Sequence, residues 1–548
     1  RDRVCVPIAF RAGSLETLIG VTDATGNETK NFTDERQHAE IDTMDLLFKA
    51  DYVIDSDRTL TFTAQQYEQE VLRPDSGEPQ GDYLGLPGWT INLQESSDVK
   101  TNDSYQISYR ANAAGTAFYD MLKASVYLNE SEQEDLFSLN HETPPPFGPG
   151  GSRDQIKTDL FAQETTGASL ALGKVLEGAE SAHHLSYGFD WDTTETYRPR
   201  REQRIQSDGT VTMDDLSAPF PKNDTERLGV YMQDAIDLAG GLSVTPGVRY
   251  DYYSMEPQAD EGYDNAVGDA EDLPEKITDN HLSFRLGILQ EISGNLSFYA
   301  QYSQGFKVPP YDLAYFYFDH VAFSGNGIRI IPSAELVPEE SDTYEIGIRG
   351  SAGNMWYDLA AYKAEYENFI QVAYVETVSE INMDFGFPLP LDVDVFQYQN
   401  IEAAEISGVE FRLGYSVNED FDLFLNGEWM DSEDLSTGEQ LPSIQPFNGT
   451  LGATWNMNRF ALDAYLRYAD SMDKTPTGAM TTDSYTTLDL FARFAFSDNL
   501  GFAVGVVNAF DEDYIEYSSV AGIPDDGRDL TLYSQPGRAV TAKFKYQF

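Results

Sequence analysis

Residues 296–350 read LSFYAQYSQGFKVPPYDLAYFYFDHVAFSGNGIRIIPSAELVPEESDTYEIGIRG, and this stretch decides the fold. Leu296, Phe298, Ala300 and Tyr302 alternate with Ser297, Tyr299, Gln301 and Ser303. Tyr344, Ile346 and Ile348 alternate with Glu345, Gly347 and Arg349. A period of two belongs to a strand with one apolar and one polar face. Two such strands bracket a long segment that carries prolines, aromatics and a single histidine, His320.

The same rhythm continues on both sides. Leu282, Phe284, Leu286 and Ile288 share one face; so do Val409, Phe411, Leu413 and Tyr415; so do Leu488, Leu490, Ala492, Phe494 and Phe496. Gly/Asn/Asp-rich turns such as Ser293-Gly294-Asn295 and Ser497-Asp498-Asn499 join neighbours. Longer connections are expected near 129–158, 254–280 and 303–338. Short turns at one end and long loops at the other suit an up-and-down barrel in an outer membrane. The pattern predicts an all-β fold, a large transmembrane antiparallel β-barrel occupying residues 1–548 as one domain.

Composition permits this reading. The 548 residues are 41% hydrophobic and contain no apolar run of helical-span length. Barrel strands need only about 9–11 residues each, and half of those face a polar lumen. Aromatics make up 13%, as interfacial girdles require. A Tyr-rich secreted β-sandwich or propeller would share that composition, but no repeat of propeller length is visible. The net charge of −56 disfavours nucleic acid as a partner. Cys5 is the lone cysteine, so neither an internal disulfide nor a cysteine metal cluster can form. His183-His184 is a poor chelating pair, because adjacent strand residues point to opposite faces. No His-Glu-x-x-His, Gly-x-Ser-x-Gly or phosphate-binding glycine loop occurs, and an enzyme is not expected.

Several motifs resemble those of TonB-dependent outer-membrane receptors, in the haem/haemoglobin branch. Phe306-Lys307-Val308-Pro309 resembles the Phe-Arg-Ala-Pro box that ends a barrel strand, and Tyr311 to His320 resembles the acidic and tyrosine-rich run behind it. Ser333-Ala334-Glu335-Leu336 stands in place of Asn-Pro-Asn-Leu; Leu336, Pro338 and Glu339 match its tail, and Val337 replaces a basic residue. Asn508-Ala509-Phe510-Asp511-Glu512-Asp513-Tyr514 is similar to the family's Asn-Leu-Phe-Asp turn. Gly247-Val248-Arg249-Tyr250 and Tyr398 to Val409 resemble recurrent family strands. The last strand, with Phe544, Tyr546 and Phe548 on one face, resembles the signal read by the barrel-assembly machinery.

The resemblance implies a barrel of about 22 strands in the outer membrane of a Gram-negative bacterium. It implies energy coupling to the TonB–ExbB–ExbD complex through an N-terminal plug. No plug is recognisable in this chain, and Arg1-Asp2-Arg3 is neither a start methionine nor a signal peptide, so a processed or cut form is expected. No intrinsic cofactor is implied; haem, free or taken from a carrier protein, would be cargo. His320 is the candidate haem-iron ligand, since neutral imidazole is a good axial ligand. Tyr311, Tyr315 and Tyr317 are candidate contacts, Tyr315 or Tyr317 as a tyrosinate, with Phe316, Tyr317, Phe318 and Phe323 available for stacking. Phe306, Lys307, Pro309, Glu335, Leu336, Pro338 and Glu339 would shape the loop. Alternatives are a ferric-siderophore receptor and a passive porin.

Overall fold

The computed structural model describes residues 2–32, 38–74, 90–113, 116–142, 152–267, 274–321, 326–333, 335–382, 389–400, 403–442, 444–497, 499–525, 527 and 530–546. The alternating segments become strands. The chain opens with β1 (Asp2–Ala12), β2 (Leu15–Asn27), β3 (Glu40–Val53), β4 (Arg58–Arg73), β5 (Thr90–Asn112), β6 (Met121–Glu142), β7 (Ser152–Glu177) and β8 (Ser181–Tyr197). A short hairpin, β9 (Arg200–Gln206) and β10 (Val211–Ser217), precedes β11 (Asn223–Leu238) and β12 (Leu242–Pro257). Helix α1 (Glu261–Val267) leads to β13 (Ile277–Ser293) and β14 (Leu296–Lys307). The helical turn α2 (Tyr311–Ala314) and strands β15 (Phe318–Val321) and β16 (Asn326–Ile331) follow. Then come β17 (Glu339–Ala352), β18 (Met355–Glu367) and a second hairpin, β19 (Ile370–Asn382) and β20 (Leu389–Asn400). The rest are β21 (Ala403–Asn418), β22 (Phe421–Asp434), β23 (Asn448–Met457), β24 (Phe460–Ala469), β25 (Tyr485–Ser497), β26 (Leu500–Val507) and β27 (Ala539–Tyr546).

One sheet joins 23 of these strands. Within it β9 and β10 branch away: β7 pairs with β8 over Ala162–Glu177 but with β9 over Arg153–Asp159, while β8 pairs directly with β11. Without that hairpin, 21 strands form a continuous antiparallel meander, close to the expected 22. Tight turns at one end, such as 13–14, 294–295 and 353–354, alternate with long connections at the other. β1 and β27, the two ends of the meander, therefore run in the same direction, and no ladder joins them among the described residues. Direct antiparallel closure between them is geometrically excluded, because an antiparallel ring needs an even number of strands.

The apolar faces point outward. Leu282, Phe284, Leu286, Ile346, Ile348 and Trp429 are all exposed, as hydrocarbon-facing residues must be when no lipid is present. Polar faces line the interior, where cross-strand contacts set local shape. Tyr299 lies over Gly347, its register partner, and a Cβ at Gly347 would collide with the ring.

One expected loop is corrected. Residues 129–142 and 152–158 belong to β6 and β7, not to a connection spanning 129–158. The acidic run Asn129-Glu130-Ser131-Glu132-Gln133-Glu134-Asp135 has no apolar alternation, yet it pairs residue by residue with β5 on one side and β7 on the other. A strand that has left the hydrocarbon meets water on its outer face, so periodicity disappears while the ladder persists. The other two expected loops narrow similarly, to 258–276 and 308–338.

The Asn508 turn shows how a long connection is anchored. Asn508 is buried and takes a left-handed φ of 48°. Its Nδ2 donates to the Glu512 carbonyl at 2.9 Å and the Pro536 carbonyl at 3.2 Å, and its Oδ1 accepts from the Glu512 N–H at 2.9 Å. Replacing Asn508 by Ala removes these bonds and leaves a strained φ, an expected loss of about 3 kcal/mol. Protease cleavage within 508–538 should become fast in Asn508→Ala and remain slow in the parent.

Candidate functional site at the long-loop cluster

β14 stops where Pro309 and Pro310 remove two ladder donors. Pro310 then caps α2: the Leu313 and Ala314 N–H groups both donate to its carbonyl at 3.0 Å. The turn drives Ala314 and Tyr315 into a core with Phe220, Tyr253, Met255, Ile277 and Leu336. Phe306, Val308 and Tyr311 pack against the same core. The two loop boxes, far apart in the chain, thus meet in space. Lys307 and Glu339 face each other across the β14–β17 ladder with an ion pair of 3.2 Å, and Glu339 also accepts from the Ile370 N–H at 2.8 Å. Pro309 and Pro338 are buried and Glu335 is exposed.

This core decides what the tyrosines can do. Tyr315 is fully buried, its hydroxyl 3.2 Å from the carbonyls of both Met255 and Glu275. Burial pushes its pKa up, which opposes the tyrosinate that iron ligation needs. The expectation that Tyr315 ligates iron is therefore corrected: it is the centre of the loop core. Tyr311 accepts from Gln163 Nε2 at 3.3 Å and meets Phe220 edge-on at 5.1 Å. Burial holds its pKa up at about 12. Tyr317 packs on Ala218, Tyr263 and Val267, its N–H donates to the Pro219 carbonyl at 2.7 Å, and burial raises its pKa too.

His320 stands apart from that core. It lies on β15, the edge of a four-stranded sheet ordered β15-β16-β20-β19. β16 and β20 pair in parallel, so the 308–338 and 368–402 connections are locked together. Register partners share a face. Phe318, Ile330, Phe396 and Tyr374 form one row; His320, Ile328, Asp394 and Thr377 form the next. The reverse face buries Leu391, Val393 and Val395. Arg329, also on that face, bonds Glu380 at 2.8 Å and Asp319 at 2.7 Å.

The front face is open and aromatic: Phe318 is 38% exposed, Ile328 48% and Tyr374 56%. Phe316, Phe318 and His320 stack in series, with centroid separations of 6.4 and 6.2 Å and interplanar angles of 11° and 19°. Asp392 and Asp394 border this surface, accepting from Ser379 and Thr377 at 2.7 Å. Sequence reasoning does not single out Ile328, Tyr374 or Phe396: Ile328 reaches His320 across the β15–β16 hairpin, and the parallel β16–β20 pairing brings in Phe396 and Tyr374. Phe323, Ala334 and Phe548 lie outside the described residues. Phe544 and Tyr546 project from β27 into the surroundings. His183 and His184 go separate ways, to Asp234 at 2.7 Å and Asp237 at 3.1 Å. Among the described residues, no three His, Cys, Asp or Glu side chains converge on a metal position.

The family "TonB dependent receptor-like, beta-barrel" matches residues 42–509. The chain belongs to that family. The family places it in the Gram-negative outer membrane. Among its curated relatives is a probable hemoglobin and hemoglobin-haptoglobin-binding protein 4 of Haemophilus influenzae, 23% identical over 375 residues, covering 58% of this chain and 37% of the relative. Another is the vitamin B12 transporter BtuB of Vibrio vulnificus, 26% identical over 268 residues, covering 49% and 38%. This receptor barrel thus spans less than half the length of either. The solved copper transporter OprC superposes with a TM-score of 0.72 at 15% identity, covering 100% of this chain and 78% of that one. These three are named as a binding protein and two transporters, and the family is one of receptors and transporters, not enzymes.

The loop core and the top of β6 each give one testable outcome. Leu336→Ala leaves a cavity beneath Tyr315 and should cost about 2–5 kcal/mol locally. Amide exchange in 308–338 should accelerate while exchange in the membrane strands stays unchanged. The second concerns His141, buried at the top of β6, whose Nε2 accepts from Arg153 Nε at 3.0 Å. Burial first, then the charges of Arg153 and Arg204, lower its pKa from 6.5 to about 4. An unfolded segment takes up this proton below pH 6.5 and the folded one only near pH 4. The contribution of His141 is therefore intact above pH 6.5 and lost as pH falls toward 4. Exchange of the amides flanking His141 should rise over that window, and His141→Gln should flatten the dependence.

Proposed function

We propose that this barrel belongs to a receptor that captures haem, free or from a carrier protein, for TonB-energised uptake. The observation that carries the reading is the exposed stack of Phe316, Phe318 and His320 on a sheet whose front face adds Ile328, Phe396 and Tyr374. A porphyrin is a flat apolar disc with a metal at its centre. Parallel rings offer its faces offset stacking, and an imidazole on the same strand offers its iron a nitrogen. The haemoglobin-binding relative supports the same cargo. Coupling to TonB, ExbB and ExbD would pass through a plug, and the barrel itself performs no chemistry.

The barrel's exposed site makes the test direct. Haemin titrated into the purified receptor in detergent should give a saturable Soret shift. His320→Ala should abolish the shift, and Phe318→Ala should weaken affinity about tenfold. An unchanged shift in His320→Ala removes His320 as the ligand. No shift in the parent refutes haem and turns the search to ferric siderophores.

A further inference from the structure

The wall above the membrane carries a second surface. In β6 the outward face holds Val126 and Leu136, and the inward face holds Ser125, Tyr127 and Phe137. The β6–β7 ladder runs from Met121↔Gly173 to Glu142↔Ser152 without a register shift, so parity is preserved along its full length. Gln155, Lys157, Asp159, Phe161 and Gln163 of β7 therefore share the inner face. The hydrogen bond from Gln163 to Tyr311 agrees, since it seats the 308–338 connection against that face.

Hairpin β9 extends this inner face with Arg200, Glu202 and Arg204, opposite Asp159, Lys157 and Gln155. The local charge opposes that of the chain. Arg198 and Arg200 share Asp159, both at 2.8 Å. Lys157 and Arg204 share Glu202, at 3.5 and 2.7 Å. Arg153 spends its Nε on neutral His141. Lys157, Arg198, Arg200 and Arg204 thus meet two carboxylates, Asp159 and Glu202, here. Asp135 and Asp98 continue the Asp159 row away from the hairpin, and Lys100 stands 3.6 Å from Asp98. Lys157, Arg200 and Arg204 each remain between a third and a half exposed.

We propose that Lys157, Arg200 and Arg204 form a platform that binds the carboxylate groups of a small anionic ligand. A guanidinium has five N–H donors in a planar fork, and a carboxylate shared between two cations leaves several of those donors free. Arg200 and Arg204 lie four positions apart on β9, about 13 Å along the strand, and Lys157 stands opposite the position midway between them, so these long side chains converging on Lys157 can hold two carboxylates on one molecule. In a chain of net charge −56, such an island is where an anion escapes repulsion. The inference deepens the haem reading, because haem carries two propionates.

The test separates the two ideas. Lys157→Gln/Glu202→Gln/Arg204→Gln removes two cations with the acid they share, so no charge is stranded. Haemin, haemin dimethyl ester and ferric citrate are titrated into parent and variant at low and physiological salt. Haemin affinity should fall at least tenfold in the variant and weaken with salt in the parent, while the ester binds both equally. If haemin fails to bind the parent, the haem reading falls alone, and ferric citrate bound by the parent but lost in the variant still supports the platform. Equal binding of carboxylate probes by parent and variant, or no carboxylate probe bound by the parent, overturns it. Heat-modifiable migration confirms folding; should the triple variant misfold, Arg204→Gln alone should show a severalfold loss.

Discussion

Hydrocarbon has no hydrogen-bonding partner for a peptide group, and everything else in this structure follows from that constraint. Each strand must satisfy its N–H and C=O groups on its neighbours, because an unpaired group in lipid costs several kcal/mol. The ladder therefore has to be continuous, and the meander is. Freedom is left only where the strands emerge. At one end the chain turns back within a few residues. At the other it spends its length on hairpins, helical turns and a second sheet.

Those outer segments solve a different problem. Loops in water gain nothing from lipid, so they need a core of their own. Tyr315 supplies its centre, with Leu336 from one side of the connection and Phe306 and Val308 from the other. Residues from β12, β13 and the 218–222 segment complete it, which ties three long connections to the barrel rim. Because Tyr311, Tyr315 and Tyr317 are used in this way, what the 308–338 connection contributes to the open aromatic face is Phe316, Phe318 and His320. Buried framework and exposed aromatic face divide along the chain just after α2.

Much of this was legible from residue order. Period-two alternation located the wall strands within the membrane, because lipid outside and water inside impose opposite chemistry on alternate residues. It failed for the upper halves of β6 and β7, where both faces meet polar surroundings and no period survives. The loop boxes were legible as a resemblance, and their meeting around Tyr315 gives that resemblance a physical content. The roles of the tyrosines were not legible, since an aromatic in a loop reads the same whether it is buried or displayed. The sheet built by β16 and β20 was hidden for another reason: parallel pairing between distant segments has no local signature.

The upward extension of β5, β6 and β7 also changes what a lumen-facing residue means. Below, inward parity selects polar side chains that line a pore. Above, the same parity continues without a bulge in the β6–β7 ladder and delivers its residues to the mouth of the barrel. Within each extended strand, alternate positions therefore face the barrel mouth, and ladder partners on the neighbouring strand share that direction. Arg200 and Arg204 inherit that inward direction from Asp159 and Gln155 across the ladder, although β9 is no part of the membrane wall. A hairpin grafted on an extended strand acquires its orientation from the barrel, and that is how a basic surface can be held facing inward in an otherwise acidic molecule.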